Sequence, residues 1–172
     1  MNLKRHILSI LVNNQAGTLS RISGLFTRRG FNIESFSAGV IGNGELTRIT
    51  VTTICDDQAI KQITRQVEKL VDVIEIIELL ENTSVLRELA LIKIKANNNT
   101  RTEIVGIVDI FRANIIDVSS ETITVEITGD QSKIEAFCEL VSGYGIKEIA
   151  RTGLAGLGRG SLSIEEEEDS IY

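Results

Sequence analysis

Proline and tryptophan are absent from this chain of 172 residues, histidine and methionine occur once each, and cysteine occurs twice. A Ser-His-Asp triad would have to use the lone histidine, His6, and no G-x-S-x-G motif accompanies it. His6 reads instead as a surface or strand-edge residue. Cys55 and Cys138 stand apart, one in each half, with no C-x-x-C and no neighbouring histidine. Disulfide, zinc and redox chemistry therefore lack a basis, and both thiols read as buried small hydrophobes. Aromatic side chains are scarce, five Phe and two Tyr, and none falls where a central strand would stack a base. Lys and Arg number 18 against 24 Asp and Glu, a net charge of -6 that argues against nucleic acid or an anionic membrane as partner. No run approaches the roughly 18 apolar residues of a membrane-spanning helix. Met1-Asn2-Leu3-Lys4-Arg5 leads directly into a strand, not a secretory segment, so the chain is expected to stay in the compartment where it is made. The acidic residues fall on solvent faces of helices or near the C-terminus, and no carboxylate pair marks a cleft. With no catalytic or metal-ligating constellation, the chain is expected to be a binding or regulatory module and not an enzyme.

What is present is periodic apolar patterning, 42% of residues being hydrophobic and 24% charged, enough for one mid-sized or two small domains. The chain is organised around residues 12 to 35. There a strand ends in Asn13-Asn14-Gln15-Ala16-Gly17, a helix starts at Thr18, Gly30 stops it, and a second strand begins at Ile33. His6 to Val12 is nearly continuously apolar, as in a central strand covered on one face by helices and on the other by a partner. In the helix, Leu19, Ile22, Leu25 and Phe26 form one stripe, and three arginines lie toward its negative C-terminal end. Ile33 to Ile41 and Leu46 to Ile54 then pair about a Gly42-Asn43-Gly44 turn. Asp56 and Asp57 cap a second helix with apolar Ile60, Ile63, Val67, Leu70 and Val71. Val73 to Leu79 is a fourth strand.

This order predicts an α+β, ferredoxin-like βαββαβ domain with both helices on one sheet face and the other face bare. The order repeats. Leu89 to Ile94 is a strand. A helix from about Arg101 carries Ile104, Ile107, Val108 and Phe111, and strands 115–119 and 123–128 meet at Ser120-Glu121. A last helix carries Ile134, Phe137, Cys138 and Val141, and a strand runs from Ile146 to Thr152. The expected division is 1–80 for the first domain, 81–84 for a linker, 85–160 for the second domain and 161–172 for a disordered acidic tail. The glycine-rich stretch from Gly153 to Gly160 contains no Lys and opens no helix, so it is no phosphate loop.

The turn at Gly17 is the candidate ligand site. A helix N-terminus presents unpaired N–H groups with partial positive charge, and glycine lets an anionic group such as a carboxylate come close. Gly17 has a second reading as simple relief of the turn, and Asn14 and Asn32 have one as ordinary turn and cap residues. The matching turn of the second half, Lys95 to Arg101, has no glycine.

Asn14-Gln15-Ala16-Gly17-Thr18-Leu19 and Gly30-Phe31-Asn32-Ile33-Glu34-Ser35 closely resemble the family of small regulatory subunits of acetolactate synthase (acetohydroxyacid synthase), which begin with an ACT domain. The resemblance continues through Lys69-Leu70-Val71-Asp72-Val73, Arg87 to Lys93, Ile110-Phe111-Arg112, Ile115 to Val118 and Ala150-Arg151-Thr152-Gly153, covering about residues 5 to 160. Where ACT domains often carry proline before the turn glycine, this chain has Ala16. The resemblance implies a non-catalytic subunit that activates a separate catalytic (large) subunit and confers feedback inhibition by valine or a related branched-chain amino acid. It implies no cofactor here, with thiamine diphosphate, Mg and FAD expected in the catalytic partner. It also implies a homodimer through ACT domains, with the effector between them, and a location in the bacterial cytoplasm or a plastid stroma. The effector residues so implied are Asn14, Gly17, Asn32 and Ile33, joined by Ala16 and Leu19 at the same turn. The chemistry agrees: Asn14 and turn carbonyls can accept from an ammonium, N–H groups near Gly17 or Ile33 and the Asn32 amide can donate to a carboxylate, and Ile33 and Leu19 suit a branched side chain. The alternative is a stand-alone ACT-type amino-acid sensor for another enzyme or a transcription factor.

Overall fold

The computed structural model describes residues 3–161 and 164. The described residues form two compact units, 3–85 with 154–161 and 164, and 86–153. The second unit ends before the expected 160, because residues 154–161 belong with the first unit. The expected acidic tail lies, apart from Ser161 and Ile164, outside the described residues, and Ile164 is buried.

In the first unit, β1 (Lys4–Asn13), α1 (Thr18–Arg28), β2 (Ile33–Ile41), β3 (Leu46–Cys55), α2 (Asp57–Val67) and β4 (Val73–Glu78) follow the anticipated order. The antiparallel sheet runs β2-β3-β1-β4, with Ile10 opposite Ile49 on one side and Ile76 on the other. Leu8, Ile10 and Val12 pack against Ile22 and Phe26 of α1 and Ile60, Ile63 and Val67 of α2. The opposite sheet face is not bare as expected, since Ile7, Ser9 and Leu11 are buried as well. A strand that is apolar at both parities buries both of its faces. Two further assignments are corrected. Val71, placed on the apolar stripe of α2, lies past the helix end and is 96% exposed. His6, expected at the surface, is buried, with Nδ1 2.6 Å from Glu78 Oε1.

The second unit repeats the plan with β5 (Ser84–Lys95), α3 (Arg101–Ile110), β6 (Asn114–Val118), β7 (Thr122–Gly129), α4 (Gln131–Ser142) and β8 (Ile146–Arg151) in the order β6-β7-β5-β8. Its core gathers Ile92, Ile94, Val125, Ile104, Val108, Ile134 and Phe137, and the Phe111 and Phe137 rings meet edge to face at 5.4 Å. Cys55 is buried and Cys138 half-buried; both are free thiols, and burial raises the pKa of each. The glycine-rich stretch holds a short strand that the sequence reading missed, β9 (Ala155–Gly158), which pairs with β5. Just beyond it, Arg159 donates from its backbone N–H to the Thr83 carbonyl and from Nε to the Ser84 carbonyl. No helix among the described residues is long and apolar enough to cross a membrane.

Capping carboxylates set two helix starts. Asp56 accepts from the Gln58 and Ala59 N–H groups, and Asp130 from that of Lys133. The Lys133 N–H bond, then the Ser132 hydroxyl, holds the Asp130 carboxyl below the ordinary carboxylate range. A depressed folded value stabilises the fold above the unfolded pKa of about 3.9 and loses that contribution as pH falls through the folded value. Asp130→Ala is therefore expected to lower stability by about 1 kcal/mol at neutral pH. In urea unfolding followed across pH, the difference from wild type should shrink steadily below about pH 4.

Candidate functional site

β1 ends where Asn13 pairs with Leu46. The chain then folds back onto the β2–β3 hairpin. The Asn14 N–H donates to the Glu45 carbonyl (2.7 Å), and Asn14 Nδ2 donates to the Gly44 carbonyl (2.9 Å). With its amide nitrogen committed to Gly44, Asn14 keeps Oδ1 as an acceptor that receives no hydrogen bond among the described residues.

Gly17 is the N-cap of α1, with φ 86° and ψ -7°, the left-handed region that glycine enters without a Cβ penalty. A Cβ added there would meet only Arg21 Nη1, at 3.9 Å. Backbone conformation, not crowding within the unit, thus calls for glycine, and close ligand approach draws on the same missing side chain. No side chain caps α1 and its first turn carries no acid. The Thr18 N–H donates back to the Gln15 carbonyl (3.3 Å), and those of Leu19 and Ser20 remain at the positive end of the helix without a side-chain cap. Thr18 is buried and donates through Oγ1 to Asp72 Oδ2 (3.1 Å), an oxygen that Arg21 also engages, while the Asp72 carbonyl accepts from the Asn13 N–H (2.8 Å). Asp72, which the sequence reading did not single out, therefore ties the strand end, the helix start and the α2–β4 loop together.

Beside this turn lies an open cleft of about 390 Å³. One wall is the chain from Val12 to Ser20; the other is Ala38, Gly39 and Val40 of β2 with Thr47 of β3. The lining contains no ionisable side chain. Of the residues expected to bind an effector, Asn14, Ala16, Gly17 and Leu19 line the cleft, and Asn32 and Ile33 do not. Leu19, placed on the core stripe of α1, is 43% exposed, and its neighbour Thr18 takes the interior. Ile33 pairs with Thr53, which pairs with His6 at the other end of β1. The seven residue steps from Ile33 to Val40 span about 23 Å of strand. The β2 residues of the cleft were missed, although the glycine hairpin could have revealed them: its register sets Val40 opposite Thr47 and Thr47 opposite Val12.

The matching turn of the second unit is built differently. Asn97 Oδ1 accepts from the N–H groups of Asn99 (2.9 Å) and Thr100 (3.0 Å), so the chain ahead of α3 is tied up by its own side chain, although α3 itself carries no side-chain cap. Glu88 is buried at the far end of β5, gripped by Arg151 through two hydrogen bonds and by the Gly153 N–H, a structural brace within that unit. Among the described residues no group of His, Cys, Asp and Glu is placed to hold a metal ion.

Comparison with known proteins follows this division of the chain. Residues 87–160 match the family model described as the small subunit of acetolactate synthase, and residues 8–75 match the one described as the AHAS small subunit-like ACT domain. The chain is 44% identical over 164 residues to the acetolactate synthase small subunit of Mycobacterium bovis, covering 95% of this chain and 98% of that protein. It is 44% identical over 158 residues to that of Bacillus subtilis, covering 91% and 92%. The crystal structure of the acetolactate synthase small subunit from Thermotoga maritima matches with a TM-score of 0.85 at 40% identity, covering 92% of this chain and 99% of that one.

Proposed function

We propose, for a chain that belongs to the acetolactate synthase small-subunit family, that it seats a free branched-chain amino acid, chiefly valine, at the start of α1. Occupancy is then passed to the catalytic subunit, which the chain activates and makes sensitive to feedback. The observation that carries this reading is the pairing of an uncapped helix N-terminus with a cleft lined by no ionisable side chain. A ligand with net charge would enter such a cleft uncompensated, whereas a zwitterion brings its own balance. Its carboxylate takes the leading N–H groups of α1, its ammonium takes Asn14 Oδ1 and turn carbonyls, and its side chain meets Leu19 and Val40. One methylene changes binding by about 1–3 kcal/mol, so the preference for valine over leucine or isoleucine should be graded.

The remote placement of Asn32 and Ile33 fits a seat shared between two copies. β2 is an edge strand with one side of its backbone unpaired. Antiparallel pairing of two β2 strands about a two-fold axis near Ser37 sets Ile33 of one copy beside Ile41 of the other, next to the Ala38–Val40 wall. Each cleft would then be completed by the second copy's Asn32 and Ile33. Thiamine diphosphate, Mg and FAD belong, in this reading, to the catalytic subunit, and the assembly works in the cytoplasm.

Titration calorimetry on the isolated chain should give a valine signal in the micromolar to millimolar range, with the chain sedimenting as a dimer. Co-purification from the native cell should recover the catalytic subunit, and its synthase turnover should fall when valine is added. Absence of heat at millimolar valine contradicts the seat. Recovery of an unrelated enzyme or a transcription factor in place of the synthase favours the stand-alone sensor.

A further inference from the structure

We infer, resting on the amino-acid seat proposed above, that the turn between β2 and β3 aims the seat's ammonium acceptor: the Gly44 carbonyl holds the Asn14 amide so that Oδ1, and not Nδ2, is the atom left for the ligand. A peptide carbonyl only accepts, so the Asn14 atom that meets it at 2.9 Å has to be Nδ2. The Asn14 N–H is spent on the neighbouring Glu45 carbonyl at 2.7 Å, which fixes the backbone as well as the side chain. An untied asparagine amide rotates freely and offers donor and acceptor alike. Tied at two points, Asn14 offers an acceptor alone. An ammonium has only donors to give and gains from that. A preset orientation also spares the cost of ordering the side chain when the ligand arrives.

The turn that does the holding is itself braced. The Glu45 N–H donates to Asn43 Oδ1 (3.1 Å), and Asn43 Nδ2 donates to Glu45 Oε2 (2.9 Å). The peptide unit joining Gly44 to Glu45 is thus gripped at its N–H by Asn43 and at its carbonyl by Asn14. Gly44 sits at φ 94°, and a Cβ there would meet nothing within 4 Å, so the need for glycine lies in the backbone and not in crowding. β2 enters this turn just beyond Val40, and β1 meets it through Asn14, so a single turn sets both walls of the cleft. Asn43, Gly44 and Glu45 do not themselves line the cleft. They act through Asn14 and are positioning residues.

The test is a double-mutant cycle on the full chain, read by calorimetry with L-valine, with thermal unfolding of each variant alongside to show that it is folded. Alanine at Gly44 is strained at positive φ, and relief of that strain swings the Gly44 carbonyl away from Asn14. Gly44→Ala is expected to weaken valine binding about fivefold or more, and Asn14→Ala at least as much. Because the first acts through the second, the double variant should bind within about twofold of Asn14→Ala. Gly44→Asn, whose side chain tolerates the left-handed region, should keep most of the affinity that Gly44→Ala loses. Gly160→Ala places the same kind of strain at φ 66°, where a Cβ also meets nothing within 4 Å, and should bind within about twofold of wild type. Wild-type affinity in Gly44→Ala overturns the positioning role and leaves the seat standing. Losses that multiply in the double variant, an equal loss in Gly160→Ala, or Gly44→Asn as weak as Gly44→Ala do the same. Absence of heat with the wild-type chain overturns the seat, and the aimed acceptor with it.

Discussion

Gly17→Asp is expected to weaken valine binding about 30-fold or more, read by calorimetry on the isolated chain. Two effects add. A residue with a Cβ in the left-handed region costs roughly 1–2 kcal/mol, softened for Asp and Asn, which tolerate that region best. The larger effect is charge. A carboxylate at the N-cap of α1 would take the leading N–H groups that the ligand carboxylate needs, and would repel it from about 5 Å with roughly 3 kcal/mol at an effective dielectric of about 20. Gly17→Asn separates the two, because it keeps the shape and the capping oxygen without the charge. The asparagine variant should retain a clear share of the affinity that the aspartate variant loses. Both should stay folded, since nothing else in the unit crowds the position. Equal affinity of wild type and Gly17→Asp would move the seat away from this turn.

Phe26→Ala should bring the largest loss of stability, about 3–5 kcal/mol, because the ring is wholly buried between α1 and the sheet and its removal leaves a cavity as well as lost contacts. The two units have separate cores, so the damage is expected to stay local. Hydrogen exchange should show lost protection across β1 to β4, while α3, α4 and β7 retain theirs. Uniform loss across both units would mean that the cores melt as one.

The parts of the fold that were legible in the sequence are those fixed by local chemistry. Alternation at Ile123, Val125 and Ile127, helical spacing at Ile60, Ile63 and Val67, glycine at Gly30 and the carboxylate of Asp56 each act over a few residues. The elements they define match the structure closely. Errors gather where a longer-range partner decides. Leu19 and Val71 sit at a helix start and beyond a helix end, where 3.6-residue spacing no longer says which way a side chain points, and the Asp72 bonds to Thr18 and Arg21 turn the first buried position over to Thr18. Burial of Ile7, Ser9 and Leu11 was implied by their apolar run, but a single ferredoxin-like layer leaves no reason to cover that face. β9 is four residues, two of them glycine, and carries too little pattern to announce a strand. At the site, the Gly17 turn was plain from residue types, whereas the Ala38–Val40 wall follows from hairpin register and the Asp72 strut from contacts more than 50 residues apart in sequence.

Asn97 gives the duplication an unequal outcome. It spends its own side chain on the Asn99 and Thr100 N–H groups ahead of α3, where the corresponding turn of the first unit has the left-handed Gly17. With the proposed seat confined to the Gly17 turn, capacity for the effector would scale with the number of chains in an assembly and not with the number of folds, so a two-chain particle would fill in at most two steps.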